Sequence, residues 1–478
     1  MSRATDTHTG RRIPKLTMGA WQVQTALRTA IVILVLVVAA YLRIVSAQET
    51  TVNGPIRADA KQYVTYAVNM KAFHVYSNDL ATPGAIAVAP KPGATSPPGY
   101  PLFLRMFMGD TVDMGFVDRI VMIQAWLGIV VVALGMALAM LLLGFWPGVA
   151  AGIAMAVNPH MIVFTDYLLT ETLYSLALIV FLSVGVVALG RHPGRVRVLL
   201  ACVSGITLAI ACLIRPTLDQ FALALLLLSL ATPWFKRFRR EIVLLVIGWS
   251  LLMAPWWIRN ESAFGHMSDP RLMVAAIHTG SYPDFMLDGR PETSGNPYAY
   301  DPRTAVAESS LRAALGDVGQ KFVEHPWRML RWYLIEKPFY LFKWTLPDGW
   351  GDMFTYPILR SPWLSNPAFI LLTSIVRGLH WPLVLLGMMG AVLAFTPAMK
   401  MAVGEKWRDS VRWLATVQVF MIAVHVAGSP FPRYSVPFRP LLFILAMFSV
   451  VVVVRWVLSR REGLGRAGIE NNGRRALP

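Results

Sequence analysis

Six charged residues stand where the apolar runs of this 478-residue chain begin or end, and they are of the types that move protons and hold phosphate. The acids are Asp59, Asp166 and Glu171; the cations are Arg215, Arg259 and Arg433. A carboxylate within hydrogen-bond reach of a hydroxyl can take its proton, and a guanidinium grips phosphate oxygens in pairs. Downstream of Arg57, the residues Asp59, Tyr63, Tyr66, Met70 and Phe73 recur at spacings of 4, 3, 4 and 3. That period describes an interfacial amphipathic helix with the acid at its start and an aromatic stripe along its buried side. The plainer role for Asp59 is to cap the helix. Glu171 opens an apolar run, where an ionised carboxylate is costly without a partner. Its plainer role is a capping box with Thr170 or Asp166. One arginine at such a depth would be a snorkelling anchor. Three of them meeting three acids on one side describe a shared polar cavity.

These residues need a membrane scaffold to hold them. The chain is 55% hydrophobic and only 15% charged, with a mean hydropathy of +0.52, whereas soluble domains carry about 25% charged residues. Its apolar residues fall into runs of membrane-spanning length. Spans are expected near 27–47, 118–143, 148–165, 168–190, 198–214, 218–234, 241–258, 366–394, 411–428 and 439–458. The net charge of +17 sits in clusters between these runs: Arg11, Arg12 and Lys15; Arg191, Arg195 and Arg197; Lys236 to Arg240; Lys400 to Arg412; and Arg455 to Arg461. That is the pattern of cytoplasmic loops and anionic lipid headgroups, not of a nucleic-acid reader. It places both termini in the cytoplasm, which ten spans satisfy. Residues 1–26 and 459–478 read as cytoplasmic tails around a transmembrane domain, 27–458. Val45-Ser46-Ala47, after a basic start and an apolar core, also fits a signal-peptidase site.

Two segments, about 48–117 and 259–365, lie outside and are too long for simple turns. The second interleaves Trp327, Leu330, Leu334, Phe339 and Phe342 with Arg328, Arg331, Lys337 and Lys343, which suits a helix lying in the interface and broken at Pro338. Cys202 and Cys212, ten residues apart on one helix, stand about 15 Å from each other and cannot form a disulfide there. No internal repeat is present, so the inverted-repeat pattern of many transporters is missing.

Four places in order along the chain resemble the GT-C glycosyltransferases, in particular the family 39-like protein mannosyltransferases and lipid A aminoarabinose transferases. They are Arg57-Ala58-Asp59, Ser96-Pro97-Pro98-Gly99-Tyr100-Pro101-Leu102, the stretch from Asp166 to Tyr174, and Arg433-Tyr434 with Pro437. The resemblance implies an all-α GT-C-like bundle of about ten helices, with interfacial helices in the two outer loops. It also implies transfer of one sugar from a polyprenyl-phosphate donor to a glycan, lipid or protein acceptor on the outer face, with inversion. Asp59 is then the general base, with Asp166 and Glu171 as the other carboxylates. Lys61, Arg259, Arg433 and Arg215 are cations for the departing phosphate; Tyr63, Tyr100, Lys337 and Tyr434 complete the substrate-binding set. Here the neighbour of Asp59 is Ala60 where some relatives have a second acid, so no divalent metal is expected. A bacterial inner membrane suits the short loops, and the partners are membrane lipids, donor and acceptor. The rival reading is a transporter or flippase, which would need polar groups near the bilayer midplane.

Reporters fused after Arg195, Arg239 and Lys406 should report cytoplasm, and reporters near Thr95 and Gly295 the outside. A cytoplasmic Gly295 would split the six residues across the membrane.

Overall fold

The computed structural model describes residues 20–79, 90–346 and 351–475, so most of both expected tails, and Ala89 at the start of a Pro/Gly-rich stretch, lie outside the described side chains. Among the described residues, eight helices are long and apolar enough to cross a membrane: Gln22–Glu49, Met114–Leu143, Glu171–Leu189, Arg195–Ile214, Arg239–Phe264, Pro367–Leu393, Glu405–Ala427 and Pro432–Arg460. Two shorter apolar helices, Phe145–Val157 and Pro216–Ala231, occupy the third and sixth expected positions. The fold is an all-α membrane bundle.

The third position departs from the single span expected over 148–165. Thirteen residues of helix rise about 20 Å, short of the roughly 30 Å hydrocarbon core. The helix stops at Val157, Asn158 turns extended, and a five-residue helix follows over Pro159–Val163. Breaking a helix inside a bundle orphans its last carbonyls. Here buried arginines meet the break: Arg43 donates to the carbonyls of Met155 and Ala156, both at 3.1 Å. Arg439 donates to Asn158 Oδ1 at 3.1 Å, and that oxygen also accepts from the Met161 amide.

Helices 195–214 and 239–264 pack with their backbones in near contact. A methyl group added at Gly205 would stand 1.9 Å from the Leu245 carbonyl oxygen, and one at Gly248 would stand 2.2 Å from that of Cys202. Small residues let membrane helices approach this closely when lipid offers no hydrophobic drive for association.

The two long segments expected outside are tied together. Thr51–Val52 pairs antiparallel with Ile358–Arg360, and the Asn53 amide adds a bond to the Pro357 carbonyl at 2.8 Å. The first segment then forms helix Ala58–Ala72, which buries Tyr66 and Met70 of the expected stripe together with Val64 and Ala67, while Tyr63 and Phe73 are half-buried. Ser46 is buried, donates to Asp166 and accepts from the Trp363 indole, so Val45-Ser46-Ala47 is part of the packed first helix. In the second segment the aromatic and basic stretch is helical from Pro326 to Leu341, and the expected break at Pro338 is displaced. A wide π turn over Trp332–Glu336 comes just before the proline. Opening that turn makes room for a ring that would otherwise clash with the preceding carbonyl.

Gly205→Val should lower stability by about 1–3 kcal/mol, because the added bulk meets backbone that cannot rotate away. Gly316→Ala, into open space on helix Leu311–Glu324, should be neutral or stabilising. Thermal unfolding of both variants in detergent checks the contrast.

Candidate active site

The candidate site is built where four elements end on one side of the bundle. Helix Ala58–Ala72 brings Asp59 in its first turn; the cap residue is Arg57, so Asp59 is free of capping duty. Its carboxylate accepts from Arg433 Nη2 at 2.7 Å. Arg433 comes from the 3-10 turn Pro432–Phe438 that leads into the last span. Glu171 opens the span Glu171–Leu189 behind Thr170, which makes no side-chain cap bond. Arg215, the residue after Ile214, donates to Glu171 Oε1 at 3.1 Å. Tyr434 joins the two pairs: the Arg215 guanidinium stands 4.4 Å from its ring centroid, and that of Arg433 5.2 Å. Cations over a tyrosine face are attracted to its ring quadrupole.

The two pairs differ in exposure. Glu171 is 2% exposed and Asp59 38%, while the arginines are alike, Arg215 at 15% and Arg433 at 17%. The Asp59–Arg433 pair is therefore open at its carboxylate only, and the Glu171–Arg215 pair is closed. Among the described residues, Glu171 Oε2 and Arg433 Nε have no hydrogen-bond partner, which leaves one acceptor and one donor unspent in the cluster. Tyr63 packs edge-on against Tyr100 at 5.2 Å. Burial, then the carboxylates of Asp59 and Glu171, push its phenol well above the usual range. Tyr100 is buried and donates to Gln124 Oε1 at 2.9 Å. Its neighbour Gly99 fits only as glycine, since a methyl there would meet the Leu213 carbonyl oxygen at 2.6 Å. Tyr356, on the second outer segment, sits beside Arg57 and donates to its carbonyl at 3.3 Å.

The fold brings together Asp59, Tyr63, Tyr100, Glu171, Arg215, Arg433 and Tyr434 of the residues singled out by sequence. Lys61 is exposed two residues beyond Asp59. The remaining three sit elsewhere. Arg259 donates to the carbonyls of Gly93 and Tyr76 and to Asn260 Oδ1, and stacks on Tyr76, Trp256 and Phe264. It clamps the first outer segment to the span Arg239–Phe264. Lys337 is fully buried, and its amine donates to the carbonyls of Val426 and Gly428 at 2.8 and 2.9 Å while facing Tyr333. Burial pulls that amine down to about 6. Asp166 is buried and accepts from Ser46 Oγ at 2.6 Å; burial pushes its carboxyl up to about 7, against the hydrogen bonds of Ser46, Thr50 and Thr165. Sequence reasoning missed Arg43, Arg439 and Tyr356. Arg43 could have been found as a lone charge inside an apolar run. Among the described residues, no three His, Cys, Asp or Glu side chains stand close enough to hold a metal ion.

No protein-family model matches the chain, and no curated protein does. Among solved structures it is similar to the archaeal oligosaccharyltransferase AglB from Archaeoglobus fulgidus in complex with an inhibitory peptide and a dolichol-phosphate. The identity is 12% and the TM-score 0.47, covering 93% of this chain and 52% of that one. It is also similar to ArnT from Cupriavidus metallidurans bound to undecaprenyl phosphate, at 13% identity and TM-score 0.40, covering 90% of this chain and 77% of that one. Both are GT-C glycosyltransferases. The chain spans about half the length of AglB.

Replacing one member of the closed pair strands the other. Glu171→Met or Arg215→Met alone should cost about 3–5 kcal/mol of stability, whereas both together should recover most of it. Unfolding in detergent across this double-mutant cycle measures the coupling.

Proposed function

We propose that the protein transfers a single sugar from a polyprenyl-phosphate donor to a hydroxyl of a glycan, lipid or protein acceptor. The observation that carries this is the open Asp59–Arg433 pair stacked, through Tyr434, on the closed Glu171–Arg215 pair. Such a transfer needs two things at one point: a base for the acceptor hydroxyl and cations for the phosphate that departs. A polyprenyl phosphate leaves as a stable anion, so no general acid is required. Arg433 takes the phosphate oxygens, with Arg215 behind it and Lys61 at the rim. Asp59, released from Arg433 by the competing phosphate, takes the proton. The acceptor oxygen forms its bond to the anomeric carbon as the bond from that carbon to the phosphate oxygen breaks. The bonding pair leaves with the phosphate, the hydroxyl proton goes to Asp59, and one displacement inverts the anomeric centre.

Arg259 and Lys337, both engaged with backbone carbonyls, position the outer segments in this scheme and are not phosphate ligands. Asp166, held by Ser46, braces the first helix. The side of action follows the basic clusters: the site faces outward, and a bacterial inner membrane is its setting. Transport would ask for polar groups facing a path at mid-depth. The buried span arginines Arg43 and Arg439 instead hold the carbonyls and Asn158 at the helix break.

Asp59→Asn keeps the shape of the side chain but cannot take a proton. With polyprenyl-phosphate sugar as donor, its initial rate of transfer should fall by about two to four orders of magnitude, while expression and folding stay near normal. Glu should restore little, since it displaces the carboxylate by about one methylene from a positioned geometry. A variant rate above about a tenth of the parent's, outside the range for a lost acid–base group, puts the base elsewhere.

A further inference from the structure

The turn Pro432–Phe438, which carries Arg433 and Tyr434, is met by the second long segment at the residue that caps it. That cap is Phe431, and the ring of Phe285 lies flat against it, with centroids 4.5 Å apart and planes 17° from parallel. Phe431 in turn meets the Tyr434 ring edge-on at 5.5 Å, and its carbonyl accepts from the Tyr434 amide at 2.9 Å. Phe285 is fully buried, with the rings of Tyr340 and Trp332 at 5.1 and 5.8 Å. Its backbone is strained. Phe285 and the preceding Asp284 both have a φ of +54°, a left-handed region that a bulky residue enters only when its surroundings impose it. The surroundings here are specific. The Asp284 carboxylate accepts from Arg328 at 2.6 Å, and the Phe285 amide and carbonyl are bonded to Tyr282 and Gly295, both at 3.0 Å. Moving either φ into the usual negative range would rotate the ring off Phe431.

We propose that Phe285 is a positioning residue for Arg433: seated by two left-handed residues, its ring fixes Phe431 and so holds the turn that aims the guanidinium. The proposal rests on the reading of Arg433 as the cation for the donor phosphate. Other contacts from the same segment grip the chain on either side of this point. Upstream, the Lys337 amine bonds the carbonyls of Val426 and Gly428, and Ser429 Oγ donates to the Ala276 carbonyl at 2.8 Å. Downstream, Phe342 packs edge-on against Phe438 at 5.7 Å. Phe285 acts between them, at the near end of the turn and two residues before Arg433. A flat stack on the cap residue restrains the rotation of the turn about its entry, which the backbone grips upstream leave free.

The test uses the full chain in detergent, with amide hydrogen exchange read by mass spectrometry over 429–438 and undecaprenyl phosphate binding measured on the same samples. Phe285→Leu keeps an apolar side chain but removes the flat ring. It should raise exchange over 429–438 by about 2- to 10-fold, the factor for a lost aromatic pair, and weaken undecaprenyl phosphate binding by about as much. Exchange in the span Arg195–Ile214 should not change. Two substitutions at Asp284 separate the backbone from the ring. Asp284→Gly gives up the Arg328 bond but takes a positive φ freely, and should behave as the parent. Asp284→Val keeps every ring but resists that φ, and should behave as Phe285→Leu. Unchanged exchange over 429–438 in Phe285→Leu, a rise spread evenly through the spans, or unchanged binding despite a local rise would overturn the proposal. An unaltered chain that binds no undecaprenyl phosphate would instead sink the reading of Arg433 as phosphate cation, and the exchange profiles would still decide whether Phe285 holds the turn.

Discussion

A carboxylate at the mouth of a membrane helix needs a cation, and the pairing of Glu171 with Arg215 is the constraint around which this end of the bundle is arranged. Glu171 is nearly inaccessible, so an unpaired charge there would cost several kcal/mol. Its partner must come from a neighbouring helix end, and the chain supplies it one residue past Ile214. The guanidinium then faces Tyr434, which fixes the turn entering the last span and with it Arg433. Arg433 in turn holds Asp59, which draws helix Ala58–Ala72 onto the bundle. Each link is short and directional, so one buried pair orders side chains from four separate parts of the sequence.

Buried ion pairs are weak evidence for stability as such, because desolvation consumes most of their attraction. Under the proposed function their place here is in the chemistry. The closed pair holds a fixed charge pattern; in the proposed transfer, Asp59 and Arg433 serve as base and phosphate cation, masking each other until a ligand separates them. Fixed charges in a site that excludes water act without reorganising during reaction, which is where electrostatic catalysis is strongest.

Much of this could be read from the residues, and the reasons are local. Span positions follow from apolar runs, and helix Ala58–Ala72 follows from the recurrence of Asp59, Tyr63, Tyr66 and Met70 on one face. Helix ends on a common side place Glu171, Arg215 and Arg433 together without knowledge of their distances. What stayed hidden is tertiary. Arg259 and Lys337 have the same type and depth as phosphate ligands, but their partners are backbone carbonyls 166 and 91 residues away in sequence. The break at Asn158 reads as a continuous span because Arg43 and Arg439, which relieve the orphaned groups, lie far from it in the chain. Pro338 marks a real irregularity, but the strain is taken up one turn earlier, over Trp332–Glu336.

The central claim is that Arg433 exchanges Asp59 for the donor phosphate. A cryo-electron-microscopy structure of the chain with polyprenyl phosphate bound tests it directly. The account predicts phosphate density within hydrogen-bond distance of Arg433, next to the Tyr434 ring, with the Asp59 carboxylate released from the guanidinium. Phosphate bound elsewhere, with the Asp59–Arg433 pair intact at its present 2.7 Å, would contradict it.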